Sequence, residues 1–252
     1  MGMTAVLPIQ AVDVVGQTCT GQKVGDIAPL NFSLKAGEIG GILYSRDAIL
    51  LFQLILGMGE LKQGTIHLNG IPLVASNGSH PIAWRQLIGF ANCRKGLLSN
   101  LSLLDNVNLP AKYHGYYLNG QGQEEVAAKE LARLEVPSNL WGKRPSEVSG
   151  FIRKRVILAR SVVLDPEILL LDSPSELFSW QHLPLLGRWI LHQKEHGRGV
   201  LIGSDNVPFL LALNDWLIIT PAGEMDYKFK HHVDSKWLEG ADVMRRSLQN
   251  EE

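Results

Sequence analysis

The chain has 252 residues, 45% apolar and 19% charged, with 24 basic against 25 acidic side chains and a net charge of -1. That is enough apolar material for one large or two small cores, and the charge balance lacks the basic excess that marks a nucleic-acid-binding surface, so no nucleic-acid partner is expected. Cys19 and Cys93 are too few and too far apart for a disulfide framework or a zinc site, which makes a reducing cytosolic setting the expectation.

The densest apolar run, residues 49–58, is interrupted by Gln53 and Gly57. It falls short of the ~20 residues a membrane-spanning helix needs. Residues 1–10 carry no Lys or Arg ahead of an apolar segment, so no secretory leader is expected and the chain is placed in the cytoplasm. A charged fraction this low points to a surface partly covered by partners.

In chain order, the residues before Leu43 read as short strands and turns, with polar-apolar alternation over 31–35 closed by Ala36-Gly37. Residues 38–43 form a glycine-tolerant apolar run of buried-strand length, and 49–56 follow as a buried helix. Residues 65–68 and 71–74 flank Asn69-Gly70, whose residue types accept the positive φ angles of a tight hairpin. From 103 to 136 the period becomes helical, with Val126, Ala127, Leu131 and Leu134 on one face. Helices over 151–164, 182–195 and 208–213 then alternate with strands over 168–171, 199–202 and 216–220. Such alternation predicts an α/β fold with a parallel sheet and crossover helices, behind an N-terminal antiparallel β section.

Laid on this order of elements, two stretches resemble the ATP-binding-cassette (ABC) ATPases of membrane transporters. Residues 145–160, Pro-Ser-Glu-Val-Ser-Gly-Phe-Ile-Arg-Lys-Arg-Val-Ile-Leu-Ala-Arg, are similar to the family's signature helix, and 165–172, Asp-Pro-Glu-Ile-Leu-Leu-Leu-Asp, to its Walker B strand. Ile88-Gly-Phe90 and residues 96–107 resemble the segment around the Q-loop where the helical subdomain begins. The resemblance runs from about Val12 to Met225 and implies a single cassette domain over 1–252, with a helical subdomain over 92–165 inserted in the α/β core. Around 97–115 and 204–216 it is nearest in character to ATPase subunits of bacterial MCE-type phospholipid importers, which implies lipid transport.

The departures from the family pattern fall on its chemistry. Members hold the triphosphate in a GxxxxGK[ST] loop whose glycines let backbone N–H groups converge on phosphate while Lys neutralises charge. Here 41–51 read Gly-Ile-Leu-Tyr-Ser-Arg-Asp-Ala-Ile-Leu-Leu, with no glycine over 42–56 and no lysine over 44–61. Arg46 could pair with phosphate, but Asp47 brings a carboxylate, and the glycine nest is lacking. Where the resemblance places the water-polarising glutamate stands Ser173, which is no base near neutral pH. The Q-loop glutamine falls on Cys93, the switch histidine on Ser204 and the D-loop aspartate near Ser179. No aromatic precedes Phe32 to stack on adenine.

Bland readings stand beside the others. Asp172 is a residual magnesium ligand or a cap on the turn after its strand. Ser149 and Gly150 are half a signature, facing a partner's nucleotide, or an ordinary helix N-cap, and Phe151 is expected to obstruct close approach there. Arg153, Lys154 and Arg155 read as a solvated face. His192 with His196, and His231-His232, read as surface histidines and not as metal ligands. Trp180, Trp189, Trp216 and Trp237 are assigned to core or interface pockets. Leu97, Leu98 and Leu101 lie where the resemblance implies docking of a permease's coupling helix, and are either core or partner surface.

These readings lead to a degenerate, non-hydrolytic cassette subunit that couples a membrane permease to a second ABC ATPase subunit, peripheral on the cytoplasmic face of the inner membrane. It would need no cofactor or metal of its own, with Mg-ATP at the partner. A divergent but active ATPase, or a soluble regulatory cassette-like protein, are the alternatives.

Overall fold

The computed structural model describes residues 9–18, 30–43, 45–72, 86–92, 96–114, 121–219 and 235–249. Strands β1 (Ile9–Thr18), β2 (Phe32–Leu34), β4 (Gly59–Leu68) and β5 (Ile71–Pro72) form an antiparallel sheet in the order β2-β1-β4-β5. Between β4 and β5, Asn69 and Gly70 both take positive φ (50° and 75°), as the hairpin reading requires. The second strand of that hairpin was expected to reach 74, but residues 73 and 74 lie outside the described residues.

The second sheet is parallel throughout, in the order β6-β7-β8-β3-β9, from β3 (Ile39–Leu43), β6 (Ile88–Asn92), β7 (Ile168–Asp172), β8 (Gly199–Ser204) and β9 (Trp216–Ile219). Its strands alternate between two apolar clusters. Leu169, Leu171, Val200 and Ile202 join a cluster with the helices on one face, while Ile168, Leu170 and Leu201 join Phe32, Leu34, Ile66 and Leu68 on the other. A strand buried on both faces reads as an unbroken apolar run, which explains Ile168-Leu-Leu-Leu171. Helix α1 (Ser45–Ile55) fills the second cluster through Ala48, Leu51 and Phe52. It starts four residues before the expected 49, because a first helical turn tolerates polar residues such as Ser45.

Between β6 and β7 lie α2 (Leu103–Tyr113), α3 (Gln121–Arg133) and α4 (Gly150–Ser161). Ser102 caps α2, its Oγ accepting the Asp105 N–H at 3.0 Å. Helices α5 (Leu183–Glu195), α6 (Val207–Leu213) and α7 (Ser235–Gln249) complete the chain, and no described helix is long and apolar enough to cross a membrane. The α/β parallel-sheet core and the antiparallel N-terminal section agree with the sequence reading.

Candidate functional site

Ligands of open α/β sheets bind at the carboxyl ends of the strands. Here the pairing register sets Leu43 of β3 against Ser204 of β8, and Asp172 of β7 against Gly203 of β8. Tyr44, between β3 and α1, lies outside the described residues. Arg46 and Asp47 fall in the first turn of α1, and their side chains lie outside the described residues, as does Cys93.

Helix α1 also presses against the sheet at its carboxyl edge. A Cβ added to Gly203 would stand 2.3 Å from the Ala48 Cβ. Only glycine allows that approach, so α1 packs directly on this face of β8.

The substituted positions form a closed set of hydroxyls. Asp172, Ser173, Ser175 and Ser204 are all buried, Ser173 and Ser204 completely. Ser173 has φ 51° and ψ 46°, a left-handed conformation that costs a non-glycine residue on the order of 1 kcal/mol. Its N–H donates to Gly203 O at 2.8 Å and its Oγ donates to Asp172 Oδ1 at 3.1 Å. The Ser175 and Ser204 hydroxyls share a hydrogen bond of 2.8 Å, and Ser204 Oγ also accepts the Asn206 N–H at 3.1 Å. Asn206 in turn caps α6, its Oδ1 accepting the Phe209 N–H at 3.0 Å. These bonds join the three serines to Asp172, Gly203 and Asn206. The described residues here thus bond one another within the protein. Among them, no group of three or more His, Cys, Asp or Glu is arranged to hold a metal ion.

At the other candidate site Ser149 caps α4, accepting the Ile152 N–H at 3.3 Å, and both Ser149 and Gly150 are exposed. The expectation that Phe151 obstructs this surface is corrected: its ring folds back, 5.3 Å from the Phe178 ring and 4.0 Å from that of His182. The reading of Arg153 to Arg155 as a solvated face is corrected too. Arg155 is buried, stacks 4.0 Å from the Phe151 centroid, and donates to Leu134 O at 2.9 Å and Glu135 O at 2.7 Å. Burial pushes its pKa down. Arg153 ties down the turn before the helix, donating to Pro145 O and Val148 O. Ser179 is exposed and bonds His182 Nδ1 at 2.6 Å.

The docking segment divides. Leu98 is 47% exposed, whereas Leu97 is partly buried against the main cluster, Leu101 is intermediate, and Leu103 and Val107 are core. Its shape is set by Asn106, which sequence reading missed. Fully buried, Asn106 accepts the Leu98 N–H at 2.8 Å and donates to Leu98 O and Ser102 O at 3.0 and 2.9 Å. An amide within an apolar helical stripe was the available signal. Of the tryptophans, Trp189 is core and Trp216 packs 5.8 Å from Phe32, but Trp180 is 56% exposed and fills no core pocket. The Trp237 side chain and His231-His232 lie outside the described residues. The rings of His192 and His196 stack 3.9 Å apart.

The family model described as ABC transporter matches residues 49–176, beginning within α1. The chain is 28% identical over 206 residues to the ribose import ATP-binding protein RbsA of Lactococcus lactis subsp. lactis (strain IL1403), covering 78% of this chain and 41% of that protein. It is 30% identical over 219 residues to the Nod factor export ATP-binding protein I of Burkholderia orbicola (strain AU 1054), covering 85% and 69%. Among solved structures, a dimeric ATP-binding cassette in a post-hydrolysis state with ADP and Pi superimposes with a TM-score of 0.71 at 20% identity, covering 86% of this chain and 96% of that one. The chain spans about two fifths of the length of the first of these curated relatives.

Proposed function

The chain belongs to the ABC transporter family, and from that premise we propose that it is a degenerate cassette subunit that neither cradles nor hydrolyses ATP and serves its transporter by shape. The observation that supports this reading is the set of buried serines at the carboxyl edge of the sheet, where Ser173 bonds Asp172 and Ser204 bonds Ser175 in the places of a base and a switch. Losing a general base alone removes ~10²- to 10⁴-fold of rate. In this reading the subunit docks on a membrane permease through the segment carrying Leu97, Leu98 and Leu101, on the cytoplasmic face. It pairs with a second cassette whose Mg-ATP faces Ser149 and Gly150.

Such a subunit contributes by binding the open and closed permease with different affinity, which needs no chemistry of its own. The cargo reading, lipid through an MCE-type importer, is carried by resemblance alone, and the relatives found here are named for ribose and Nod factor.

The test is equilibrium binding of a fluorescent ATP analogue with Mg²⁺ to the purified chain, beside an intact cassette as positive control, together with ATP turnover. The expected result is no saturable binding up to millimolar nucleotide and no turnover. Micromolar binding, with turnover abolished by Asp172→Asn, overturns the proposal in favour of a divergent active ATPase.

A further inference from the structure

Helices α2 to α4 form a unit that joins the sheet only through the chain before α2 and the chain between α4 and β7. An insert with two such connections is expected to swing unless its interface is large and apolar. Here one apolar cluster runs without a break from Val107, Ala127 and Leu131 through Ile152 and Val156 to Ile39, Val200 and Ile202 of the sheet.

Two directional contacts sit on that interface, at different helices. At the start of α4, the Phe151 ring lies against Phe178 and His182, both of which follow β7. Each partner is itself held: the Phe178 N–H donates to Ser175 O at 3.2 Å, and His182 bonds Ser179 through ring and backbone. Behind the ring, Arg155 ties the same face to the turn after α3 through Leu134 O and Glu135 O. At the second point Trp189 of α5 donates its indole N–H to Glu130 Oε2 of α3 at 3.1 Å, and Arg133 bonds the other carboxylate oxygen. Trp189 and Glu130 are both buried. Breaking the second leaves a buried carboxylate short of a donor, which the low dielectric makes costly.

We propose that the Phe151–Phe178–His182 stack and the Trp189–Glu130 bond clasp the helical unit to the sheet as one rigid body, so that the chain keeps a single shape with or without nucleotide. Any movement it transmits is then movement of the whole subunit. This stands apart from the absence of hydrolysis, because a nucleotide could bind without moving the clasped unit.

The experiment uses the full chain carrying Cys19→Ser and Cys93→Ser, with nitroxides on Asn139→Cys of the helical unit and Glu195→Cys of the sheet unit, both exposed positions. Pulsed electron paramagnetic resonance reads the distance between them. One narrow distribution is expected, unmoved by millimolar Mg-ATP. Adding Phe151→Ala and Trp189→Phe together should broaden or split it. A broad parent distribution, a shift on adding Mg-ATP, or a double variant as narrow as its parent each overturns the proposal. Should circular dichroism find the double variant unfolded, Phe151→Leu and Trp189→Phe singly carry the same comparison. ATP turnover with an unmoved distance would overturn the preceding proposal and leave this one standing.

Discussion

Restoring a carboxylate at position 173 tests the closed site directly. Ser173 is wholly buried and bonded to the Asp172 carboxylate, so Ser173→Glu forces two carboxyl groups into one dry space. The added volume costs about 1–3 kcal/mol at any pH, and Ser173→Gln carries the same volume without the charge. The electrostatic part is capped by protonation, since the pair can take up a proton and share it. For a glutamate that ordinarily titrates near 4.3, that cap is about 3.7 kcal/mol at pH 7 and about 1 kcal/mol at pH 5. The sign follows from linkage. A folded pKa raised above the unfolded value leaves stability untouched below ~4.3 and removes it progressively as pH rises toward the folded value. Urea unfolding of the Glu and Gln variants should therefore nearly coincide at pH 5 and separate at pH 7, with Glu the weaker. Curves that coincide at both pH values, or ATP turnover gained by the Glu variant, would mean that position 173 faces water and that the closed edge has been misread.

Other expectations concern separate contacts. Ser204→Ala strands the Ser175 hydroxyl and the Asn206 N–H, and should cost about 1–3 kcal/mol in urea unfolding; adding Ser175→Ala should cost less than the sum, and strict additivity would refute their pairing. His192 is held below the usual 6.5 by burial first and by the Arg133 charge second. Its contribution is therefore complete above about pH 6.5 and is lost as pH falls through that value, because the unfolded chain takes the proton more readily. His192→Gln should flatten that slope, read from unfolding midpoints between pH 5 and 8. Leu98→Asp should change unfolding by no more than about 0.5 kcal/mol, as its side chain is half exposed, yet under the proposed docking abolish co-purification with a membrane permease. Loss of stability instead would place Leu98 in the core. Gly203→Ala should fold poorly, because its methyl meets Ala48 at 2.3 Å; a thermal midpoint equal to that of the parent would refute the close packing of α1 on β8.

The parallel sheet was legible because strands buried on both faces announce themselves as aliphatic runs, and Asn69-Gly70 announced its hairpin by conformational need alone. Arg155 was misread for a physical reason. Three consecutive charges on a helix point about 100° apart, so a helix that buries Ile152, Val156 and Ala159 cannot keep all three in water. Periodicity weighs a residue against its neighbours at three and four places, and the run of charge hid that test. The serines at 173 and 204 were visible as residue types, but the bond between Ser175 and Ser204 spans 29 residues and had no local signal. The same holds for Phe151, whose ring reads as an outward obstruction until Phe178 and His182 arrive from another element. Leu98 and Leu97 are adjacent and chemically alike, and only packing separates the exposed one from the one held against the core.

Because Ser175 and Ser204 are each other's partner and Ser173 bonds Asp172, these positions are epistatic. An imidazole at 204 or a carboxylate at 173, introduced alone, enters a space sized for a hydroxyl and orphans the group left behind. A sequence drifting one substitution at a time toward an acid, a base or a switch here passes first through less stable proteins. The paired hydroxyls thus act as a ratchet, resisting change at this edge more firmly than any one residue would alone.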